Sequence, residues 1–116
     1  MQFISSVADF PDQKWEDIIS LNLSSAFYLS KECIPHMLKN QWGRIINISS
    51  VHGLVASANK SAYISAKHGV IGFTKATALE YAKHGITSNA ICPGWVLTPL
   101  IEKQIEIIAK RDNLTT

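Results

Sequence analysis

RIINISS, residues 44–50, is a short β-branched run with a polar end, the pattern of a buried parallel strand. A second run of the same kind, ITSNAIC, occupies residues 86–92. Between them VHGLVASANK, residues 51–60, forms a loop of small residues, and a helix begins near Ser61. Ala66, Val70, Phe73, Ala76 and Leu79 form its expected buried stripe. The helix stops at Gly85, behind Lys83 and His84, which suit the negative helix end. Strand, long crossover helix and strand argue for parallel pairing with a right-handed connection.

Upstream, residues 1–8 read as the tail of a loop. A long amphipathic helix starts near Asp9–Asp12, where Pro11 suits the first turn and the acids suit the positive helix end. Trp15, Ile18, Ala26, Leu29, Cys33 and Met37 recur at helical steps and form its expected buried stripe. Pro35 is expected to kink or end this helix near its last turn, and Gly43 closes the segment. Asn22 falls where the period asks for an apolar side chain. Such an amide is either a core residue bonded to a neighbouring loop, or one that breaks the helix locally and directs polar groups into a site. Downstream, PGWVLTP at 93–99 is a rigid turn, 99–111 is a third helix, and RDNLTT frays.

The whole reads as an α/β chain, part of a doubly wound, Rossmann-like parallel sheet. Two parallel strands leave two open edges and are rarely stable alone, so residues 1–116 are expected to be the central-to-C-terminal part of a larger domain. Composition agrees with a globular chain: 47% hydrophobic and 17% charged residues, with a net charge of +2. That charge, without any run of Lys and Arg, argues against nucleic acid. No apolar stretch is long enough to span a bilayer, and MQFISSVADF lacks the order of a signal peptide. Cys33 and Cys92 are expected to be reduced core thiols, and the four histidines have no metal-ligand spacing. A cytoplasmic protein that binds neither membrane nor metal is the expectation.

Ligands of such sheets bind beyond the C-terminal strand ends. Ser49, Ser50 and His52 follow the first strand, and Cys92 to Thr98 follow the second. In SAYISAKHG, residues 61–69, Tyr63 and Lys67 lie four residues apart, on one helix face and about 6 Å apart along the axis. Asn22 is within reach of the same crevice. A secondary alcohol gives up a hydride only as its hydroxyl proton is lost, so such a site needs a base. A free phenol titrates near pH 10. A lysine beside it favours the ionised phenol.

Tyr63-Ile64-Ser65-Ala66-Lys67, with Ser50 after a strand, Asn22 in the preceding helix and Pro93-Gly94 downstream, resembles the short-chain dehydrogenase/reductase family over nearly the whole chain. The resemblance implies a catalytic set of Asn22, Ser50, Tyr63 and Lys67. Lys67 then also bonds the nicotinamide ribose, Ser50 holds the substrate oxygen, and Asn22 holds a water linking Lys67 to solvent. It implies NAD as cofactor, held by Tyr63, Lys67, Pro93, Gly94, Trp95, Val96 and Thr98. GRIINISSVHGLVASANKSAY and NAICPGWVLTPLIEKQ resemble the members that interconvert a small 3-hydroxy acid and its keto acid. In those, the counterparts of Gln2, His52, Lys60 and Gln104 hold the substrate carboxylate. A carboxylate needs charge and directed donors of that kind.

The resemblance also implies a homo-oligomer, a tetramer in the full-length family, built through helices 12–40 and 61–84. Absent are the family's Thr-Gly-x-x-x-Gly-x-Gly pyrophosphate cradle and its Asn-Asn-Ala-Gly segment, since the six glycines are isolated. The 116 residues alone are therefore expected to be inactive. Another short-chain reductase of small hydroxy or keto acids, and a non-catalytic remnant acting through helix-mediated assembly, stand as alternatives.

Overall fold

A computed structural model describes residues 2–94 of the chain. The helix expected at 99–111 lies outside the described residues. The first helix spans residues 12–40 as expected, in three pieces: α1 (Asp12–Ile19), a π-helical turn (Ser20–Ser24) and α2 (Ser25–Asn40). Pro35 does not end it. Pro35 and Lys31, whose carbonyl loses its helical partner, are both exposed, so water can satisfy that carbonyl. The helix closes at Gln41, which takes the left-handed conformation with φ 49°.

The expected stripe along this helix holds at Ile18 and in part at Ala26 and Met37, which are half-buried, while Trp15 at its start is exposed. Ile18 is fully buried, but Leu29 and Cys33 are exposed, and Ser30 and Ile34 face inward instead. The π-helical turn is the cause. An i→i+5 turn accommodates one residue more than an α turn, so the inward face slips by about 100°, one residue's rotation. Cys33 is therefore not a core thiol; Cys92 is half-buried, and both are free.

β1 (Gly43–Ile48) and β2 (Ile86–Ile91) pair in parallel, from Gly43 beside Ile86 to Ile48 beside Ile91. Each ends short of its expected limit. Ser49 extends the ladder by one bond, its N–H donating to the Ile91 carbonyl at 2.7 Å, before the chain turns away through Val51–Gly53. The crossover is α3 (Ser61–Tyr81), continued by a tight turn at Ala82–His84, and Gly85 ends it with φ 72°. α3 packs on the sheet and against α1 and the π-helical turn, while α2 packs on β1.

α3 buries Ala62, Ala66, Lys67, Val70, Thr74 and Thr77. The expected stripe is right at Ala66 and Val70 and holds in part at half-buried Phe73, but Ala76 and Leu79 are exposed. Threonine can be buried here because its hydroxyl bonds its own helix. Thr74 donates to the Val70 carbonyl at 2.7 Å and Thr77 to the Phe73 carbonyl at 2.8 Å. The Thr74 hydroxyl also accepts from the Asn47 amide at 3.0 Å, tying β1 to α3.

The core beneath the sheet is Ile34, Ile45 and Ile86, flanked by Met37, Leu38 and Tyr81. On the opposite sheet face Ile46, Ile48 and Ile91 are exposed. At the N-terminal strand ends, the Gly85 carbonyl accepts from the Gly43 N–H at 3.1 Å and from the Arg44 guanidinium at 3.1 Å. That guanidinium lies 4.8 Å from the Trp42 ring centroid, close enough for cation–π attraction.

Gly85 is required by its backbone. A Cβ there would collide with the Gln41 carbonyl, in a conformation that other residues adopt only under strain. Gly85→Ala is expected to destabilise the protein by about 1–3 kcal/mol, read as a lowered urea midpoint.

Candidate active site

Three elements meet at the C-terminal end of β1. The π-helical turn offers Asn22, the loop after the strand offers Ser50 and His52, and the first turns of α3 offer Tyr63 and Lys67. Asn22 lies in the one segment of the first helix that departs from α geometry, and its amide donates to the Ile18 carbonyl at 3.0 Å. The local break expected at this residue is present as the π-helical turn. Asn22 and Lys67 line the same cleft, of about 190 Å³, with Asn47, Ile48 and Val70.

Lys67 is buried, with its ammonium donating to the Ile48 carbonyl at 3.0 Å. Burial lowers its pKa from the ordinary lysine value. The same nitrogen stands 5.6 Å from the centroid of the Tyr63 ring, within cation–π range. The four-residue spacing thus does what helix geometry requires of it: phenol and ammonium share one face. Tyr63 is half-buried, and its ring meets the His52 ring edge-on at 6.0 Å between centroids.

Ser50 is extended, and its hydroxyl oxygen accepts the His52 N–H at 3.1 Å, capping the turn that carries His52. The imidazole of buried His52 has its Nε2 2.9 Å from the Ser57 hydroxyl. Its pKa is lowered, first by burial and then by the positive charge of Lys60. Lys60 itself is buried rather than solvated, and a parallel bridge joins it to Ser5. The Ser5 N–H donates to the Asn59 carbonyl at 2.9 Å, so the segment that begins with half-buried Gln2 runs to the edge of this loop.

From the second strand, the Pro93 carbonyl accepts the Val51 N–H at 3.0 Å, holding the Pro93-Gly94 turn beside the same loop. Trp95, Val96, Thr98 and Gln104, singled out in the sequence, lie outside the described residues. Ser57, whose hydroxyl meets His52, was not singled out in the sequence, and Ser49, which bonds α3, was placed at the strand end but given no role. Neither carries a spacing signal, because each acts through a contact between loop and helix.

A buried cation on a phenol ring, an amide across the cleft and a hydroxyl after the strand thus stand together at the C-terminal end of β1. The sequence profile of the short chain dehydrogenase family matches residues 2–107. The chain is 55% identical over 114 residues to the D-beta-hydroxybutyrate dehydrogenase of Cupriavidus necator, covering 98% of this chain and 44% of that protein. It is 56% identical over 115 residues to the protein of the same name from Rhizobium meliloti, covering 99% of this chain and 45% of that one. Against a 3-oxoacyl-[acyl-carrier-protein] reductase of Pseudomonas aeruginosa the identity is 42% over 103 residues, covering 89% of this chain and 41% of that protein. The chain belongs to the short chain dehydrogenase family. It spans less than half the length of these curated relatives.

His52 also links the site to stability. Its folded pKa is depressed, so the unfolded chain takes up the proton first and stability rises with pH through this window. Stability is expected to fall as the pH drops below about 6.5, the ordinary imidazole value. His52→Gln is expected to flatten that part of the profile, read as the difference between the variants' urea midpoints at pH 8 and pH 5.

Proposed function

We propose that this chain carries the catalytic part of an NAD-dependent dehydrogenase that interconverts 3-hydroxybutyrate and acetoacetate. The observation that carries the reading is Lys67. Its ammonium is buried between a strand-end carbonyl and the Tyr63 ring, across a cleft from Asn22, in a chain more than half identical to two proteins named as hydroxybutyrate dehydrogenases.

Tyr63 takes the proton of the substrate hydroxyl, and the Lys67 ammonium stabilises the negative charge that develops on the phenol oxygen. Ser50 donates to the substrate oxygen. Asn22 orients a water that links Lys67 to solvent. NAD supplies the hydride acceptor when bound. The donor set fits its nicotinamide end: the Lys67 ammonium and the Tyr63 hydroxyl, on one face of α3, suit ribose oxygens, and Pro93-Gly94 with Trp95, Val96 and Thr98 would hold the carboxamide side. The pyrophosphate cradle is not among the 116 residues, and expressed alone they are expected to show no turnover.

His52, Lys60, Gln2 and Gln104 hold the carboxylate of the substrate. Support comes from placement: buried Lys60 is near enough to His52 for its charge to lower the imidazole pKa, and the His52 ring meets Tyr63, so positive charge and a directed ring nitrogen are set beside the phenol. The uncovered isoleucines of the sheet support a larger doubly wound domain. Exposed Phe27, Tyr28, Leu29 and Leu79 support a homo-oligomer, a tetramer, through helices 12–40 and 61–84. A cytoplasmic location belongs to the same reading; no helix of the described residues is long and apolar enough to cross a membrane.

The test is an NADH absorbance assay on the protein as its own cells make it, with D-3-hydroxybutyrate as substrate. Tyr63→Phe is expected to lower kcat by about 10²-fold or more. Lys60→Ala is expected to raise KM for 3-hydroxybutyrate with a smaller change in kcat. The 42% identity to an acyl-carrier-protein reductase favours a second reading, reduction of a 3-oxoacyl thioester. Turnover of such a thioester, with 3-hydroxybutyrate inert, overturns the first.

A further inference from the structure

We infer that Ser49, the neighbour of the serine given a catalytic part, is the positioning residue that fixes Lys67 against the end of β1. This rests on the proposed role of Lys67. Two bonds of opposite direction join the strand end to that one residue. The Ser49 hydroxyl donates to the Lys67 backbone carbonyl at 2.9 Å, and the Lys67 ammonium donates to the carbonyl of the preceding residue, Ile48, at 3.0 Å. A side-chain bond alone leaves a lysine free to swing on four carbons. A backbone bond beside it fixes where that side chain starts, and the two together set both the height and the rotation of α3 at its second turn.

The attachment is rigid at its base and closed above. Ser49 is itself held in the sheet by its N–H bond to the Ile91 carbonyl at 2.7 Å, and it is 3% exposed. Gly53 roofs the bond. A Cβ at that position would stand 2.5 Å from the Ser49 hydroxyl and 2.9 Å from the Lys67 carbonyl, so only glycine lets the loop close over them. The Lys67 carbonyl also takes the helical amide four residues on, so the helix needs no second donor there. The extra bond adds attachment to the strand rather than helix stability. Asn47, two residues earlier, bonds Thr74 further along α3 and leaves the Lys67 turn to Ser49.

Ser49→Ala in the full-length protein tests this. In the NADH assay kcat is expected to fall roughly tenfold to a hundredfold, as small misplacements of a reacting group do, with KM for 3-hydroxybutyrate within about twofold. Ser49→Thr, which keeps a hydroxyl, is expected to recover most of the rate. Independently of activity, acylation of Lys67 followed by peptide mass spectrometry is expected to accelerate severalfold in Ser49→Ala relative to exposed Lys31 of the same molecule. Unchanged kcat and unchanged Lys67 labelling in Ser49→Ala overturn the inference, as does a change confined to KM. A Tyr63→Phe variant of full activity overturns instead the catalytic reading on which it rests.

Discussion

The bond from the Lys67 ammonium to the Ile48 carbonyl is the contact on which this end of the molecule depends. Taking an ammonium out of water is costly unless it is met by oxygen or by an aromatic face, and the fold supplies both. For the bond to form, α3 must lie close against the strand end, which Ala62 and Ala66, fully buried and small, allow. With Lys67 in place, Tyr63 one turn earlier is carried to the same mouth, and the His52 ring meets it there. Site and packing are one arrangement here, because the residue that seats the helix is also the one proposed to act on the phenol.

The loop of residues 51–60 joins two kinds of work. It begins with a capped turn that sets His52 near Tyr63, and it ends at buried Lys60, directly before α3. Positive charge for an acid and a phenol for an alcohol are therefore supplied within one short span of chain. The hydroxy acid proposed as substrate carries a partner for each a few bonds apart.

Much of this was legible in the sequence, for identifiable reasons. Parallel strands at 43–48 and 86–91 declared themselves as β-branched runs, and the long helices by capping and period. The Tyr63–Lys67 pair could be read because helix geometry turns spacing directly into proximity. The inward faces beyond Ala26 and Val70 could not. A period extrapolated along α2 takes no account of the extra residue in Ser20–Ser24, so it selected Leu29 and Cys33 where Ser30 and Ile34 are buried. On α3 the apolar pattern favoured Ala76 and Leu79, whereas Thr74 and Thr77 are buried through bonds to their own helix. Ser49 and Ser57 were illegible for another reason: their partners are distant or irregular in the sequence, and a hydroxyl next to a loop is commonplace.

The clamp at the opposite end of the strands has a consequence for all of this. Gly85, Gly43 and Arg44 tie the two strand entrances together, about 20 Å from the site along six residues of β1. The strands act as a ruler whose zero mark is that clamp and whose reading is taken at Ile48. A slip of one residue at the zero mark would move the Ile48 carbonyl by about 3.3 Å and turn its neighbours to the other sheet face. The placement of the Lys67 end is thus calibrated by a glycine and an arginine that never approach it.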